Sequence, residues 1–187
     1  MADDTADDAG TVDVCFEPPF DDDSDDLPDA DRVGEYVQAV LCHCRLERNE
    51  VTVLFTGAER IRQLNRDYRG KDSTTNVLSF VFEDPPGASS RILGDIVVSP
   101  EVARTEACAQ GISLESHFTH LIIHGALHLA GFDHVNDRQA AEMEALEIRL
   151  LKRFGFDNPY LIQPESTFHD NTDSGKAVLK TAGNTAG

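Results

Sequence analysis

The sequence contains no apolar run long enough to span a bilayer. The longest candidate, residues 118–130, is interrupted by His120, His124 and His128. The N-terminal residues also lack the basic region and the apolar stretch of a secretory signal. These absences predict a cytoplasmic protein that has no membrane partner.

Cysteine is scarce and poorly spaced for a disulfide framework or a zinc knuckle. The four cysteines include no CxxC pair, and Cys42 and Cys44 are separated by His43 alone. One residue between two thiols is too tight for the usual zinc-knuckle spacing, and no second Cys/His pair follows. We interpret the cysteines as ordinary small side chains in a reducing compartment.

Basic residues are also few. The chain has 16 Lys and Arg and 34 Asp and Glu, which gives a net charge of −18. Residues 1–31 hold 13 of the acids and no base, which leaves 21 acids and 16 bases in the rest of the chain. Such a protein is a poor general binder of nucleic acid. Any RNA function must therefore depend on a local basic cluster and a metal cation.

The composition and patterning predict one α+β domain over residues 11–163, flanked by a disordered acidic arm (1–10) and a disordered polar tail (164–187). Hydrophobic residues make up 40% of the chain, enough for a globular core. The apolar patterns predict strands over residues 11–17, 50–56, 76–82 and 92–98. They predict helices from Asp29 or Asp31 to about Cys44, and over residues 58–67, 100–110, 113–130 and 137–154, the last with its acids facing outward.

The fourth predicted helix carries a histidine pattern typical of a catalytic zinc site. His124 and His128 lie one turn apart on the same helix face, which lets both imidazoles reach one ion. Gly131 can adopt the left-handed conformation that ends the helix, and His134 then returns to the same ion. Three neutral nitrogens leave a fourth position open for water.

A histidine on an apolar helix face is usually an ordinary core residue. Here, however, His117, His120, His124 and His128 form one stripe, and four polar rings in apolar surroundings are unfavourable unless something pairs them. Together with Gly131 and His134, the stripe favours one zinc ion held by His124, His128 and His134. We do not assign His117 or His120 to the metal.

The same spacing defines metzincin proteases, with one difference. Those enzymes carry a glutamate general base directly after the first histidine, where this chain has Gly125. Glycine cannot accept a proton, so the spacing predicts zinc while Gly125 argues against peptide hydrolysis. Asp133, beside the third histidine, either orients a ligand or accepts a proton, or else caps the following turn.

A dense basic cluster consists of Arg60, Arg62, Arg66, Arg69 and Lys71. We interpret Arg60 and Arg62 as a solvated helix face balanced by nearby acids. Arg69 differs because it precedes a loop that leads toward the sheet, where its planar guanidinium could bind phosphate.

These motifs resemble the YbeY family of ribosomal-RNA maturation factors. The resemblance rests on the histidine segment, on residues 64–80 (LNRDYRGKDSTTNVLSF) and on Leu93-Gly94-Asp95-Ile96, and it covers roughly residues 12–160. One departure is Thr74, where the family often has proline, which would stiffen the loop.

The resemblance implies a small mixed β-sheet packed with helices, and a zinc-dependent, single-strand-specific endoribonuclease. It further implies action on the 3′ end of small-subunit ribosomal RNA and in ribosome quality control, with single-stranded RNA and the ribosome, not DNA, as partners. His124, His128 and His134 become the metal ligands, and Arg69 the RNA phosphate contact. Two rival functions stay open: a metalloprotease-like hydrolase, and a non-catalytic ribosome-assembly factor whose zinc is structural.

Overall fold

The fold is built around one mixed β-sheet, seen in a computed structural model that describes residues 10–21, 24 and 27–161, and the backbone of 176–180. The strands are β1 (Val12–Phe16), β2 (Glu50–Phe55), β3 (Val77–Glu83), β4 (Ile92–Val98) and β5 (Lys176–Lys180), in the order β1-β2-β4-β3-β5. Among these described strands, the β3–β4 pair alone is antiparallel. The predicted α+β class with a mixed sheet is confirmed.

Five α-helices accompany the sheet in the described residues: α1 (Ala30–Cys44), α2 (Ala58–Arg69), α3 (Pro100–Gln110), α4 (Leu114–Leu129) and α5 (Asp137–Arg153). A short 3-10 helix, Pro159–Leu161, follows α5. Strand β3 separates two clusters of apolar side chains. Its Val77 joins the main core with α1, α4 and α5, whereas its Leu78 and Phe80 join a smaller cluster with Ile61 of α2.

Helix α4 is central because it contacts β3, β4, α1, α3 and α5. The Ser113 hydroxyl caps its start by accepting a hydrogen bond from the backbone N–H of Ser116, at 3.1 Å. Almost all its side chains after Ser116 are buried, as its near-continuous apolar sequence predicts. The histidine segment therefore lies at the end of the central buried helix.

Two expectations differ from the structure. The strand β5 pairs in parallel with β3, although it lies in the tail predicted to be disordered. In α5, Glu147 is buried although the acids of this helix were expected to face outward. Residues 1–9, 162–175 and 181–187, which include most of the predicted arm and tail, lie outside the described residues.

Among the described residues, no helix is both long enough and apolar enough to cross a membrane.

Candidate metal centre

Three histidines converge at the end of α4, as their spacing predicts. Gly131 has a φ of +97°, in the left-handed region, and the backbone N–H of Phe132 donates back to the Leu127 carbonyl at 3.0 Å. This reversal brings His134 beside α4. One ring nitrogen from each of His124, His128 and His134 lies within 4.8 Å of the other two.

The tautomers of two of these rings are fixed by their partners. His128 Nδ1 lies 3.1 Å from the carbonyl oxygen of Phe132, and a carbonyl can only accept a hydrogen bond. His124 Nδ1 lies 2.6 Å from Oε1 of Glu147, which as a carboxylate also accepts. Each Nδ1 therefore carries the proton, and in the neutral rings each Nε2 presents a lone pair.

Those two Nε2 atoms face each other at 3.1 Å. Two lone pairs at this distance repel, so the arrangement suits a cation placed between them. Two nitrogen ligands of one tetrahedral zinc lie about 3.3–3.4 Å apart. The third histidine is consistent with this: His134 Nε2 is buried and has no hydrogen-bond partner within the part of the chain that the structure describes. The donor set fits a metal ion.

The environment of His128 keeps its ring neutral. Burial, followed by the neighbouring His124 and His134 rings, lowers the pKa of His128 to about 4. A neutral imidazole is the form that binds a metal. At neutral pH this ligand is thus available without first losing a proton.

Glu147 of α5 is the residue of this site that sequence reasoning missed. Its side chain is 1% exposed. Burial acts to raise the pKa of its carboxyl group, but the interactions with His120 and His124 outweigh that effect and hold the pKa well below its usual range. The signal in the sequence was its position, four residues after Met143 and three before Leu150, on the buried face of the helix.

The other two histidines of the stripe have different surroundings. His120 Nε2 lies 3.5 Å from Oε2 of Glu147, so His120 belongs to the outer part of this site. His117 Nε2 instead lies 2.8 Å from Oε2 of Glu106, which also accepts from the Asn76 amide at 2.9 Å. His117 thus helps to join α3, α4 and the start of β3.

Gly125 lies where α4 approaches the sheet most closely. A Cβ at this position would come within 2.8 Å of Cγ2 of Ile96 and 3.2 Å of Oγ of Ser79. The Ser79 hydroxyl also donates to the Gly125 carbonyl at 3.1 Å. This position therefore faces β3 and β4, and a glutamate side chain does not fit there.

Asp133 and Arg69 interact electrostatically in the folded chain. Oδ1 of Asp133 accepts a hydrogen bond from the backbone N–H of His134 at 2.8 Å, which supports the turn. Partial burial lowers the pKa of Arg69, and the negative charge of Asp133 opposes that shift. Asp133 also acts electrostatically on His128. The Asp133 carboxylate therefore interacts electrostatically with both His128 and Arg69.

Other arginines of the basic cluster are balanced by acids on the surface. Arg62 forms a bidentate pair with Asp72 at 2.9 and 3.1 Å and a second ion pair with Glu59 at 3.5 Å. Arg60 lies 3.9 Å from Glu17. The expectation that Arg60 and Arg62 form a solvated, charge-balanced face is confirmed.

Comparison with known proteins identifies relatives of this chain. A family model described as "Endoribonuclease YbeY" matches residues 21–155. The chain is 49% identical over 135 residues to the endoribonuclease YbeY of Chromohalobacter salexigens, an alignment that covers 72% of this chain and 88% of the relative. The solution structure of TM1509 from Thermotoga maritima is similar with a TM-score of 0.51 and 26% identity, over 76% of this chain and 87% of that one.

Proposed function

The chain belongs to the endoribonuclease YbeY family, and on that basis we propose that it is a zinc-dependent endoribonuclease that cleaves single-stranded RNA during the processing of ribosomal RNA. The observation that carries the proposal is the convergence of three histidine nitrogens at the end of α4. Within the same proposal, its substrate is the 3′ end of small-subunit ribosomal RNA, and it acts in ribosome quality control.

We propose that His124, His128 and His134 hold one zinc ion. Three nitrogen ligands leave a position for water or substrate, as in catalytic zinc sites. When bound, zinc lowers the pKa of a water ligand or polarises a phosphoryl oxygen. The protein supplies neutral, pre-oriented ligands, because the partners of His124 and His128 fix both tautomers.

Arg69 and Asp133 supply the remaining groups of the proposed site. Arg69 is the proposed contact to the scissile phosphate, since its guanidinium can bind two phosphate oxygens and offset developing charge. Asp133 holds the turn that presents His134. Its negative charge also favours the protonated form of Arg69, and in this proposal it either orients a ligand or accepts a proton.

The charge of the protein favours a small RNA footprint. With a net charge of −18, the chain as a whole repels RNA, so the proposed phosphate contacts are local ones made by Arg69 and Lys71. Single-stranded RNA presented on the ribosome or its small subunit suits such a site better than free duplex RNA or DNA. Because ribosomal RNA is its proposed substrate, the proposed location is the cytoplasm.

The protease alternative is disfavoured by the packing of Gly125. The position that would carry the glutamate general base faces Ile96 and Ser79 on the sheet, so no carboxylate can reach the metal from there. Cleavage of an unfolded casein substrate, lost in His128→Ala, would restore this alternative.

The test combines metal analysis with cleavage of a labelled single-stranded RNA. Wild-type protein is expected to contain about one zinc per chain and to cleave the RNA, while leaving DNA of the same sequence intact. His124→Ala should lose zinc and activity. Arg69→Ala should retain zinc but lose about 100-fold or more in cleavage rate, the magnitude expected for removing one charge-stabilising group.

Arg66→Ala is the matched control, because Arg66 lies on the same helix, is exposed, and pairs with Asp67 and Asp72. Its cleavage rate should stay within about twofold of wild type. Equal cleavage by wild type, His124→Ala and Arg69→Ala would instead indicate a contaminating nuclease and would refute the proposal.

A further inference from the structure

Glu147 is an unusual residue for this protein. Its carboxylate is buried at the centre of a chain whose other acids are mostly at the surface, and burial of a carboxylate is costly unless hydrogen bonds compensate. Three side chains from two other segments surround it: His120 and His124 from α4, and Tyr160 from the 3-10 helix after α5. Such convergence is unnecessary for packing alone, since an apolar residue would fill the same space.

Both carboxylate oxygens of Glu147 are engaged. Oε1 accepts from His124 Nδ1 at 2.6 Å, and Oε2 accepts from the Tyr160 hydroxyl and lies 3.5 Å from His120 Nε2. The Tyr160 ring also packs edge-to-face on the His120 ring, with 5.8 Å between centroids. The Tyr160 hydroxyl, whose ring is packed against His120, therefore holds the carboxylate in the orientation that its bond to His124 requires.

We propose that Glu147 is a positioning residue of the metal centre: it holds His124 in the tautomer that carries its proton on Nδ1 and so directs Nε2 at the ion. Tyr160 is the residue that holds Glu147 in place. This inference rests on the proposed metal site, but it does not depend on which bond the enzyme cleaves.

The two ligands on α4 differ in what orients them. His128 is fixed by the backbone carbonyl of Phe132, four residues away in the same segment. His124 is fixed by a side chain 23 residues away, on another helix. Side-chain substitution can therefore release His124 while leaving the orientation of His128 intact. Partners of this kind commonly change metal affinity by 10–100-fold.

The experiment measures zinc affinity by competition with a chromogenic chelator. Glu147→Gln should weaken zinc binding by about 10–100-fold, because one amide oxygen replaces two acceptors and the amide N–H₂ faces other donors. Tyr160→Phe removes only the hydroxyl and should weaken binding by about threefold. Glu144→Gln, the same substitution at an exposed position of α5, should leave the affinity unchanged.

A second measurement reads the tautomer directly in the metal-free protein, by ¹⁵N NMR of labelled histidine. Wild type should show His124 protonated on Nδ1 and unprotonated on Nε2, and Glu147→Gln should show a mixture of the two tautomers. A purely structural role for Glu147 would instead lower the melting temperature without changing zinc affinity or the tautomer.

Unchanged zinc affinity in Glu147→Gln would overturn the inference, as would an Nε2-protonated His124 in wild type. Should Glu147→Gln fail to fold, Tyr160→Phe decides the question, because Tyr160 is 39% exposed and its ring is retained. Wild-type protein that binds no zinc would refute the metal centre itself. Protein that binds zinc but leaves RNA intact would refute only the proposed function.

Discussion

Gly125 lies where α4 approaches the sheet, at a position that a larger residue does not fit. It lets α4 lie directly against β3 and β4, and it exposes its carbonyl to the Ser79 hydroxyl. Because His124 and His128 flank it, the depth at which α4 packs sets how far the two rings stand from the sheet. The absence of a side chain at Gly125 therefore helps to set the positions of the proposed ligands His124 and His128.

We expect Gly125→Ala to destabilise the protein by about 1–3 kcal/mol, because the added methyl group would overlap Ile96 in a fully packed core. The matched control is Gly34→Ala. Gly34 lies inside α1 with nothing within 4 Å of an added Cβ, so there the higher helix propensity of alanine should stabilise by about 0.5–1 kcal/mol. Denaturant unfolding of both variants measures the two effects. A stabilised Gly125→Ala protein would contradict the steric account.

Residues close together in the sequence were the easiest to assign. The convergence of His124, His128 and His134 follows from helix periodicity and from one glycine, and all three lie within a single helix and turn. Glu147 could not be placed in the same way, because its contact with His124 depends on how α5 packs on α4. Asp133 illustrates an intermediate case: its backbone contact is local, but its proximity to Arg69 depends on the whole fold.

At the scale of elements, local signals defined the helices well. The predicted α3 has the same bounds as the observed helix, and α1 begins after Asp29, one of the two caps considered. Signals for the sheet were weaker. Alternation of apolar and polar residues predicts that a strand exists, but it does not predict which strand lies beside it. The order β1-β2-β4-β3-β5 and the pairing of β5 could therefore be seen only in the structure.

The capping of α1 gives a prediction for a single helix end. Oδ1 of Asp29 accepts from the backbone N–H groups of Asp31 and Arg32, at 2.9 and 3.2 Å. Asp29→Ala should therefore destabilise the protein by about 1 kcal/mol. Ser99 occupies the corresponding position of α3 but makes no side-chain capping bond, so Ser99→Ala should have a much smaller effect. Thermal melts of the two variants compare them, and equal losses would show that capping is not the cause.

At the scale of the whole molecule, the main core does not depend on the metal centre. It joins apolar residues of α1, β2, β4, α4 and α5, and none of the three histidines belongs to it. This organisation predicts a fold that persists without metal, unlike a structural zinc site, for which metal binding and folding are one event.

Treatment with a chelator should therefore leave a folded protein. We expect a melting temperature lowered by several degrees, since a ligand that binds only the folded state stabilises it, but a single cooperative transition should remain. Circular dichroism melts with and without chelator provide the measurement, and re-addition of zinc is the control. Complete loss of the transition would favour the structural-zinc alternative.

The overall charge leads to a prediction about RNA affinity. The proposal gives RNA two cationic contacts, Arg69 and Lys71, in a chain whose net charge is −18, so few phosphates are neutralised. The slope of log K against log salt for single-stranded RNA should be about −1.4, or −0.7 for each of two contacts. Arg69→Ala removes one phosphate contact and should therefore make the slope shallower, at about −0.7. A slope several times steeper in wild type would mean that a larger basic surface binds RNA.

The turn at Gly131 also has a consequence for biosynthesis. All three proposed ligands lie between residues 124 and 134, so bringing them together closes only very short loops and sacrifices little chain entropy. Among the described residues, four strands and three α-helices precede α4, which carries the first two ligands, and α5 follows the segment. As the chain leaves the ribosome, the complete ligand set thus emerges before the helix that carries Glu147. Metal capture can begin on the nascent chain, and the arrival of α5 then completes the site.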